Sequence, residues 1–290
     1  MNGLKGLGTA LITPFKADGS VDYDALAQLL DTQLTGFVDY IVVLGTTGEA
    51  ATMTAKEKRE VREFIVKYVN GRIPLVLGVG GNNTQQVISD LHAMHDVLIL
   101  DFTAILSVCP YYNKPNQEGL YQHFCAVAEA SSVPVILYNV PGRTGVNLLP
   151  ETVLRIYEAH PDKIVGIKEA SGNVEQIKHL IELAKDKLLV ISGDDGIACE
   201  IMEAGGAGLI SVASNAFPED FYDIVHKKDQ AKQAQYDEMV KLLFKEGNPV
   251  GIKAVLAQKG IIHNYLRLPL VPASEELQAQ IKTLLSSLSK

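Results

Sequence analysis

The chain has 290 residues, enough for one large or two medium domains, and its 47% hydrophobic and 21% charged residues are typical of a globular protein with an ample core. Its formal net charge of -8 argues against nucleic acid or an anionic membrane as a partner, because binding phosphates requires a basic face. A small anionic substrate is not excluded, since one local Arg or Lys is enough to bind it.

Short apolar, β-branched runs alternate along the chain with longer segments whose apolar residues recur every three to four positions. The runs predict eight strands, at 7–13, 40–43, 73–79, 104–108, 135–139, 164–168, 188–192 and 209–212. The longer segments predict helices at 22–34, 54–69, 84–94, 117–130, 150–158, 174–184, 197–204 and 217–225. Alternating β and α units indicate a parallel sheet with right-handed crossovers.

Eight such units without an intervening linker favour one closed barrel over two open sheets. The predicted fold class is therefore α/β, a (β/α)8 TIM barrel that occupies residues 1–229. Residues 230–290 are predicted to form two or three amphipathic helices, a small C-terminal extension packed on the barrel.

The three cysteines, Cys109, Cys125 and Cys199, are scattered and form no CxxC pair, so neither a zinc site nor a disulfide framework is indicated. We interpret them as free thiols in a reducing compartment. The sequence shows no signal-peptide pattern and no apolar run near the roughly 18 residues of a membrane span. We therefore expect a cytoplasmic protein.

The catalytic groups of such a barrel come from the carboxyl ends of its strands and the loops that follow. Unusual sequences lie at those places, at 45–49, 110–113, 138–145, 168–169 and 192–195. The glycine cluster at 204–208 instead precedes the eighth strand, at the opposite face, and we interpret it as a tight turn rather than a phosphate site.

Lys168 ends the sixth predicted strand, so its side chain should face the barrel mouth among apolar walls. Such surroundings disfavour the ammonium form of a lysine, and the neutral amine is the nucleophile. Tyr138 ends the neighbouring strand, about 4.8 Å away if the strands are in register, where a phenol can transfer protons. Alone, a strand-end lysine is more often a surface or ion-pair residue, and a strand-end tyrosine is more often part of the core.

Further polar residues surround the same mouth. The turn at 45–49 offers the hydroxyls of Thr46 and Thr47 and backbone N–H groups suited to a small carboxylate, or it is only a capped glycine turn. Arg143 lies in a Pro/Gly-rich loop and can bind a carboxylate bidentately, unless it is a solvated loop cation. Tyr111 and Tyr112 form an aromatic loop pair of the kind found at subunit contacts.

Other chemistries have little support in the sequence. None of the seven histidines has metal-ligand spacing with a partner; His92 and His95 lie three apart on a predicted helix remote from the mouth and are interpreted as solvent-facing. No GxSxG elbow, Walker loop or strand-to-helix GxGxxG is present, so serine hydrolase, P-loop and Rossmann functions are not indicated.

Three motifs carry a family resemblance: Gly-Thr-Thr-Gly-Glu at 45–49, Tyr-Asn-Val-Pro-Gly-Arg-Thr-Gly at 138–145 and Ile-Lys-Glu-Ala-Ser-Gly-Asn at 167–173. In their order and barrel positions they resemble the signatures of the dihydrodipicolinate synthase and N-acetylneuraminate lyase superfamily, and the resemblance covers essentially the whole chain. It implies a synthase that condenses pyruvate with L-aspartate semialdehyde and closes the product to a heterocyclic lysine precursor.

The resemblance also implies residue roles. Lys168 would form a Schiff base with the keto carbon of pyruvate, so no metal or organic cofactor is needed. Tyr138 would transfer protons, and Thr46 would link it to Tyr112 of an adjacent subunit in a tetramer, a dimer of dimers. The substrate-binding positions would be Thr47 for the pyruvate carboxylate, Arg143 for the semialdehyde carboxylate, and the backbone of Gly193 and Ile210.

Two alternatives stay open at this point. A pyruvate-releasing aldolase, acting on sialic acid or a 2-keto-3-deoxy sugar acid, shares the lysine chemistry, but such lyases usually lack the arginine that stands here at 143. A non-catalytic barrel with a binding or regulatory role would be expected to have lost Lys168, which is present with its companions.

Inhibition by lysine, which occurs in some synthases of this family, is expected to be weak or absent here. Asn82 and Tyr111 match positions used by that effector, but Ala55, Lys58 and Gln86 replace two histidines and a glutamate, so the ammonium group of the ligand loses its acidic partner. A dose–response curve at fixed pyruvate measures this. Strong inhibition below roughly 1 mM lysine, worth about 4 kcal/mol, would contradict the charge argument.

Overall fold

A computed structural model describes residues 2–94 and 99–288. Its eight parallel strands close in sequence order into a barrel, with β8 paired to β1. The strands are β1 Gly6–Ala10, β2 Tyr40–Val43, β3 Leu75–Gly78, β4 Ala104–Val108, β5 Val135–Asn139, β6 Ile164–Glu169, β7 Leu189–Ser192 and β8 Gly208–Ser211. The predicted (β/α)8 TIM barrel is confirmed.

Helices surround the barrel, and each predicted helix is present with bounds close to those expected. They are α1 Tyr23–Gln33, α2 Ala55–Val69, α3 Thr84–Met94, α4 Gln117–Ala130, α5 Pro141–Thr144, α6 Pro150–Ala159, α7 Val174–Ala184, α8 Ala198–Glu203, α9 Pro218–His226, α10 Gln230–Phe244, α11 Val250–Gln258 and α12 Glu275–Leu288. His95 lies outside the described residues.

Two details differ from the sequence-based expectation. Strand β1 ends at Ala10 rather than at residue 13, and the side chain of Thr13 instead donates to the carbonyl of Gly48 in the loop after β2. The short helix α5 was not predicted, although Pro141 at its first turn and Gly145 in a left-handed conformation after it are typical of helix ends.

Alternation along the strands divides the apolar residues between two cores. In β2, Tyr40 and Val42 face the barrel interior, whereas Ile41 and Val43 pack outward against the helices. The outer core is the larger, because it fills the layer between the barrel and its helices. This alternation decides which strand-end residues reach the mouth.

The C-terminal extension contains the helices α10, α11 and α12. They pack on one another, and α10 also contacts α9. The expectation of amphipathic helices is wrong for α11, whose residues Val250–Leu256 are all buried, because α10, α12 and the turn Ala213–Asn215 contact it. The division at residue 229 falls just before α10 and stays a prediction as a domain boundary. None of the described helices is long and apolar enough to span a membrane.

The glycine cluster at 204–208 forms a tight turn and then the first residue of β8. Gly206 donates to the carbonyl of Ile201 in the last turn of α8, and Gly205 has a φ of +99°. Gly208 pairs with Gly6 where the barrel closes, and a Cβ on Gly208 would lie 2.1 Å from the carbonyl oxygen of Gly6. There is no room for a side chain at position 208, where β8 pairs with β1.

We therefore expect Gly208→Ala to lower the free energy of unfolding by about 2 kcal/mol or more, because a backbone contact cannot be relieved by a change of rotamer. Urea-induced unfolding measures the change. Gly142→Ala is the control, since a Cβ there meets nothing within 4 Å, and its effect should stay within about 0.5 kcal/mol. Equal unfolding midpoints for the two variants would contradict the steric argument.

Candidate active site

Lys168 and Tyr138 lie side by side at the carboxyl ends of β6 and β5. Ile167 packs outward against the helices, so the next residue, Lys168, faces the interior. The strand register pairs Lys168 with Tyr138, and the lysine Nζ lies 4.4 Å from the centroid of the phenol ring. Both residues are only 6% exposed. The structure thus brings together the predicted nucleophile and the predicted proton-transfer group.

A second pair of residues joins the same two strand ends by hydrogen bonds on the outer face of the barrel. Asn139 and Glu169 follow Tyr138 and Lys168 in the register, and the Asn139 amide donates to Glu169 Oε2 over 3.0 Å. Glu169 also accepts from the backbone N–H of Ser171 and the side chain of Gln176. Burial raises the pKa of Glu169, although these hydrogen bonds oppose the shift. Sequence analysis missed this pair. The signal was there, because a polar residue directly follows Tyr138 and another directly follows Lys168 at the two strand ends.

Gly193, which follows β7, leaves room for the lysine side chain. A Cβ at this position would lie 2.8 Å from Lys168 Cε and 2.7 Å from Ala170 Cβ. Its N–H donates to the carbonyl of Glu169 over 2.8 Å, which fixes its backbone beside Lys168. Ile210 of β8 is fully buried in the interior core. The substrate-lining roles of Gly193 and Ile210 stay predictions.

A buried polar network supports the ends of β7 and β8. Asp195 accepts from the Ser211 hydroxyl over 2.5 Å and from the N–H of Val212 over 3.0 Å. Ser211 in turn accepts from the N–H of Ser214, whose hydroxyl lies 2.8 Å from that of Thr9 in β1. Burial raises the pKa of Asp195 to about 6, because desolvation outweighs these hydrogen bonds. The network ties β7, β8 and β1 together beneath Gly193 and Ile210.

Thr47 is buried, and its hydroxyl oxygen accepts from the Asn248 amide over 2.8 Å. With its oxygen engaged as an acceptor, the hydroxyl can donate its hydrogen to a carboxylate in the mouth. Arg143, in α5, is exposed and donates to the backbone carbonyl of Asn248 over 3.3 Å. Asn248 therefore links the two predicted carboxylate-binding residues. Sequence analysis did not single it out, since it lies about 200 residues from Thr47 in the chain.

The predicted relay residues do not all meet within one chain. Thr46 and Tyr138 line the same cavity as Arg143. The side chain of Tyr112 is 87% exposed and its backbone has a φ of +75°. In a single chain its phenol is therefore in solvent.

The mouth opens into a cavity of about 890 Å³ that continues outward between α2 and α3. Ala55, Lys58 and Tyr111 line its outer part, together with Asp90, an acidic residue that sequence analysis did not weigh. The expected weak response to lysine stays a prediction. Within residues 2–94 and 99–288, no three His, Cys, Asp or Glu side chains are grouped so that they could hold a metal ion.

Comparison with known proteins identifies the family. The model of the dihydrodipicolinate synthetase family matches residues 3–288. The 4-hydroxy-tetrahydrodipicolinate synthase of Parabacteroides distasonis is 48% identical over 99% of this chain and 97% of its own. The corresponding synthase of Flavobacterium psychrophilum is 47% identical over the full length of both chains.

Solved structures agree with the fold and the sequence match. Dihydrodipicolinate synthase from Thermotoga maritima superposes with a TM-score of 0.92 at 38% identity, covering 98% of each chain. The chloride-inhibited synthase of Acinetobacter baumannii complexed with pyruvate superposes with a TM-score of 0.92 at 40% identity, also over 98% of each chain. A family model and relatives that extend over nearly the whole chain leave one conclusion: this chain belongs to the dihydrodipicolinate synthetase family.

Proposed function

We propose that this chain condenses pyruvate with L-aspartate semialdehyde through a Schiff base on Lys168, giving 4-hydroxy-tetrahydrodipicolinate for lysine and diaminopimelate biosynthesis. The observation that carries the proposal is the buried amine of Lys168 at the end of β6, beside the ring of Tyr138, which lines the same cavity as Thr46 and Arg143. Relatives with 43–49% identity along the chain carry the synthase name, which supports the same reaction here.

The first half-reaction makes a nucleophile of pyruvate. The neutral Lys168 amine adds to the keto carbon, water leaves, and an imine joins the substrate to the chain. The imine then accepts the electron pair released when the methyl carbon loses a proton, which gives an enamine. Tyr138 transfers protons in these steps, because its phenol stands beside the amine. The imine itself is the electron sink, so the reaction needs neither a metal nor an organic cofactor.

The second half-reaction joins the two substrates. The enamine carbon attacks the aldehyde carbon of the semialdehyde, and the oxygen that becomes anionic takes up a proton. Formation of the carbon–carbon bond restores the imine on Lys168. The neutral amino group of the bound semialdehyde then attacks the imine carbon and closes the ring. The attacking nitrogen gives up a proton, the bond from the ring carbon to the Lys168 nitrogen breaks as that nitrogen takes up a proton, and Lys168 leaves as the free amine while a carbon–nitrogen double bond forms in the ring. Thr47 holds the pyruvate carboxylate, Arg143 holds the semialdehyde carboxylate, and backbone groups of Gly193 and Ile210 line the space between them.

Arg143 favours the synthase over a pyruvate-releasing aldolase acting on sialic acid or a 2-keto-3-deoxy sugar acid. Its guanidinium borders the cavity and is held by a backbone carbonyl, an uncharged acceptor, so it can bind a second carboxylate. The names of the full-length relatives support the same choice. A non-catalytic barrel is disfavoured, because Lys168 and its companions are in place.

The proposed working form is a homotetramer, a dimer of dimers, in the cytoplasm. The exposed side chain of Tyr112 supports a shared active site, because its phenol can join Thr46 and Tyr138 of another chain only across a subunit contact. The neighbouring Tyr111 is also a large exposed aromatic residue. Thr46 would connect the phenols of Tyr138 and the partner's Tyr112 as a proton relay.

Borohydride reduction in the presence of pyruvate should attach a three-carbon adduct to Lys168, because hydride traps the imine. Peptide mass spectrometry locates the adduct. Lys168→Ala should remove the adduct and nearly all turnover, whereas Lys259→Ala, outside the mouth, should keep both. An adduct on another lysine, or no adduct at all, would contradict the proposed mechanism.

Arg143→Ala should leave pyruvate adduct formation largely intact and impair use of the semialdehyde by about 30- to 1,000-fold, since losing a bidentate charged contact costs roughly 2–4 kcal/mol. Single-turnover rates with each substrate separate the two half-reactions. Arg143→Lys keeps the positive charge but cannot bind a carboxylate bidentately, so its rate with the semialdehyde should lie between those of the parent and Arg143→Ala. An equal loss in both half-reactions would show that Arg143 does not serve the second substrate alone.

The shared site can be tested by mixing two inactive variants, Tyr112→Phe and Lys168→Ala. A hybrid dimer contains one site with Lys168 from one chain and Tyr112 from the other, and that site is intact. Dissociation and random reassociation should restore about one quarter of wild-type activity, since half of the dimers are hybrids with one complete site each. No recovery in verified hybrids, or a fully active monomer in sedimentation, would rule out the relay.

A further inference from the structure

A buried ion pair connects the active-site mouth to the C-terminal extension. Glu49 belongs to residues 45–54, here called the threonine loop, which carries Thr46 and Thr47. Its carboxylate contacts the ammonium group of Lys253 in α11, and the two side chains are 1% and 0% exposed. The reaction steps above use neither residue.

Glu49 has a backbone conformation that depends on outside support. It lies between two turns of 3-10 helix, with φ 53° and ψ 32°, the left-handed region that non-glycine residues rarely adopt. Such a conformation persists only where the surroundings fix it. Here they do, because Glu49 Oε1 contacts Lys253 and Glu49 Oε2 accepts from the N–H of Arg267 over 3.2 Å.

Lys253 is held just as closely. Its Nζ donates to the carbonyl of Tyr265 over 3.0 Å and stands 4.2 Å from the ring centroid of Phe15, which Arg267 also faces at 4.4 Å. Burial lowers the pKa of Lys253 to about 8, because desolvation outweighs the attraction of Glu49. A buried pair of this kind contributes little to stability, and apolar residues of similar size often replace such pairs without loss. Stability alone therefore gives a weak reason for its presence.

The contacts of the extension converge on the threonine loop. Asn248 donates to Thr47, Lys253 contacts Glu49, and Arg267 donates to the carbonyl of Thr52 over 3.0 Å and pairs with Glu57 at the start of α2. Thr47 lies within this set of contacts, and its hydroxyl is the donor that a carboxylate in the mouth would meet. The N–H groups of Gly48 and Glu49 donate within the loop, to the carbonyls of Gly45 and Thr46, and so depend on the same loop conformation.

We propose that Glu49 and Lys253 are positioning residues, whose ion pair holds the threonine loop in the conformation that binds the carboxylate of pyruvate. The proposal rests on the function given above and extends it to residues that do not touch the substrate. It implies that the pair acts on pyruvate binding and leaves the semialdehyde contact through Arg143 unaffected.

The decisive variant is Glu49→Gln with Lys253→Met, which removes both charges and keeps both side-chain lengths to within one atom. Its unfolding midpoint in urea should equal or exceed that of the parent. The KM for pyruvate should rise about tenfold or more, while the KM for the semialdehyde and kcat at saturating pyruvate stay within about twofold. A merely structural role would lower the midpoint or the active fraction and leave the KM for pyruvate unchanged.

Lys259→Met is the matched control. Lys259 directly follows α11, its ammonium also stands over an aromatic ring, at 4.6 Å from the ring centroid of Phe217, and it also donates to a carbonyl, that of Ala216. Both kinetic constants should stay at parental values. If the double variant does not fold, Glu49→Gln alone tests the same point, because a neutral side chain opposite Lys253 lets that lysine lose its proton rather than stay charged and buried.

An unchanged KM for pyruvate in a folded, active double variant or in folded Glu49→Gln overturns the proposal. Failure of the proposed function would look different, because the parent protein itself would then form no pyruvate adduct on Lys168 or would not turn over the semialdehyde. A raised KM for both substrates together would also overturn it, since the ion pair would then support the whole mouth rather than the pyruvate carboxylate site.

Discussion

The parallel register between β5 and β6 is the constraint on which the mouth depends. It sets Tyr138 opposite Lys168 and, one residue further, Asn139 opposite Glu169. Since successive side chains of a strand face opposite sides, the first pair enters the barrel and the second faces the helices. A slip of β6 by one residue would place the Glu169 carboxylate in the mouth and the Lys168 amine in the outer core. The hydrogen bonds of Glu169 to Asn139, Ser171 and Gln176 oppose such a slip.

Charge is distributed so that an acidic protein can still hold two carboxylates. The cations that shape the mouth, Lys253 and Arg267, are paired with Glu49 and Glu57 and so present little net charge to the substrates. Arg143 is held by the carbonyl of Asn248 instead, and its positive charge stays available. A net charge of -8 therefore constrains macromolecular partners more than it constrains small anionic substrates.

Local sequence patterns predicted the barrel and its strand-end residues, because the periodicity of apolar residues and the order of β and α units are local properties. Lys168 and Tyr138 could be placed together from strand order alone. Asn248, Lys253 and Arg267 could not, since their partners Thr47, Glu49 and Glu57 lie about 200 residues away and nothing local indicates the contact. In α11, the lysine lies among buried apolar residues and is itself fully buried, which the sequence analysis did not consider. The role proposed for Tyr112 would need a second chain, which contacts within one chain cannot supply.

The contact between Glu49 and Lys253 also sets an order of events during synthesis. Strand β8 ends at Ser211, so all eight strands can pair before the extension has been made. Translation at roughly 5–20 residues per second then takes roughly 2–8 s to proceed from Ser211 to Lys253. During that time the carboxylate of Glu49 can remain hydrated and the loop around it has no C-terminal partner. A nascent chain of this protein thus has the strands of its scaffold before it has its complete substrate pocket, and a chain released before Lys253 lacks residues that complete the mouth.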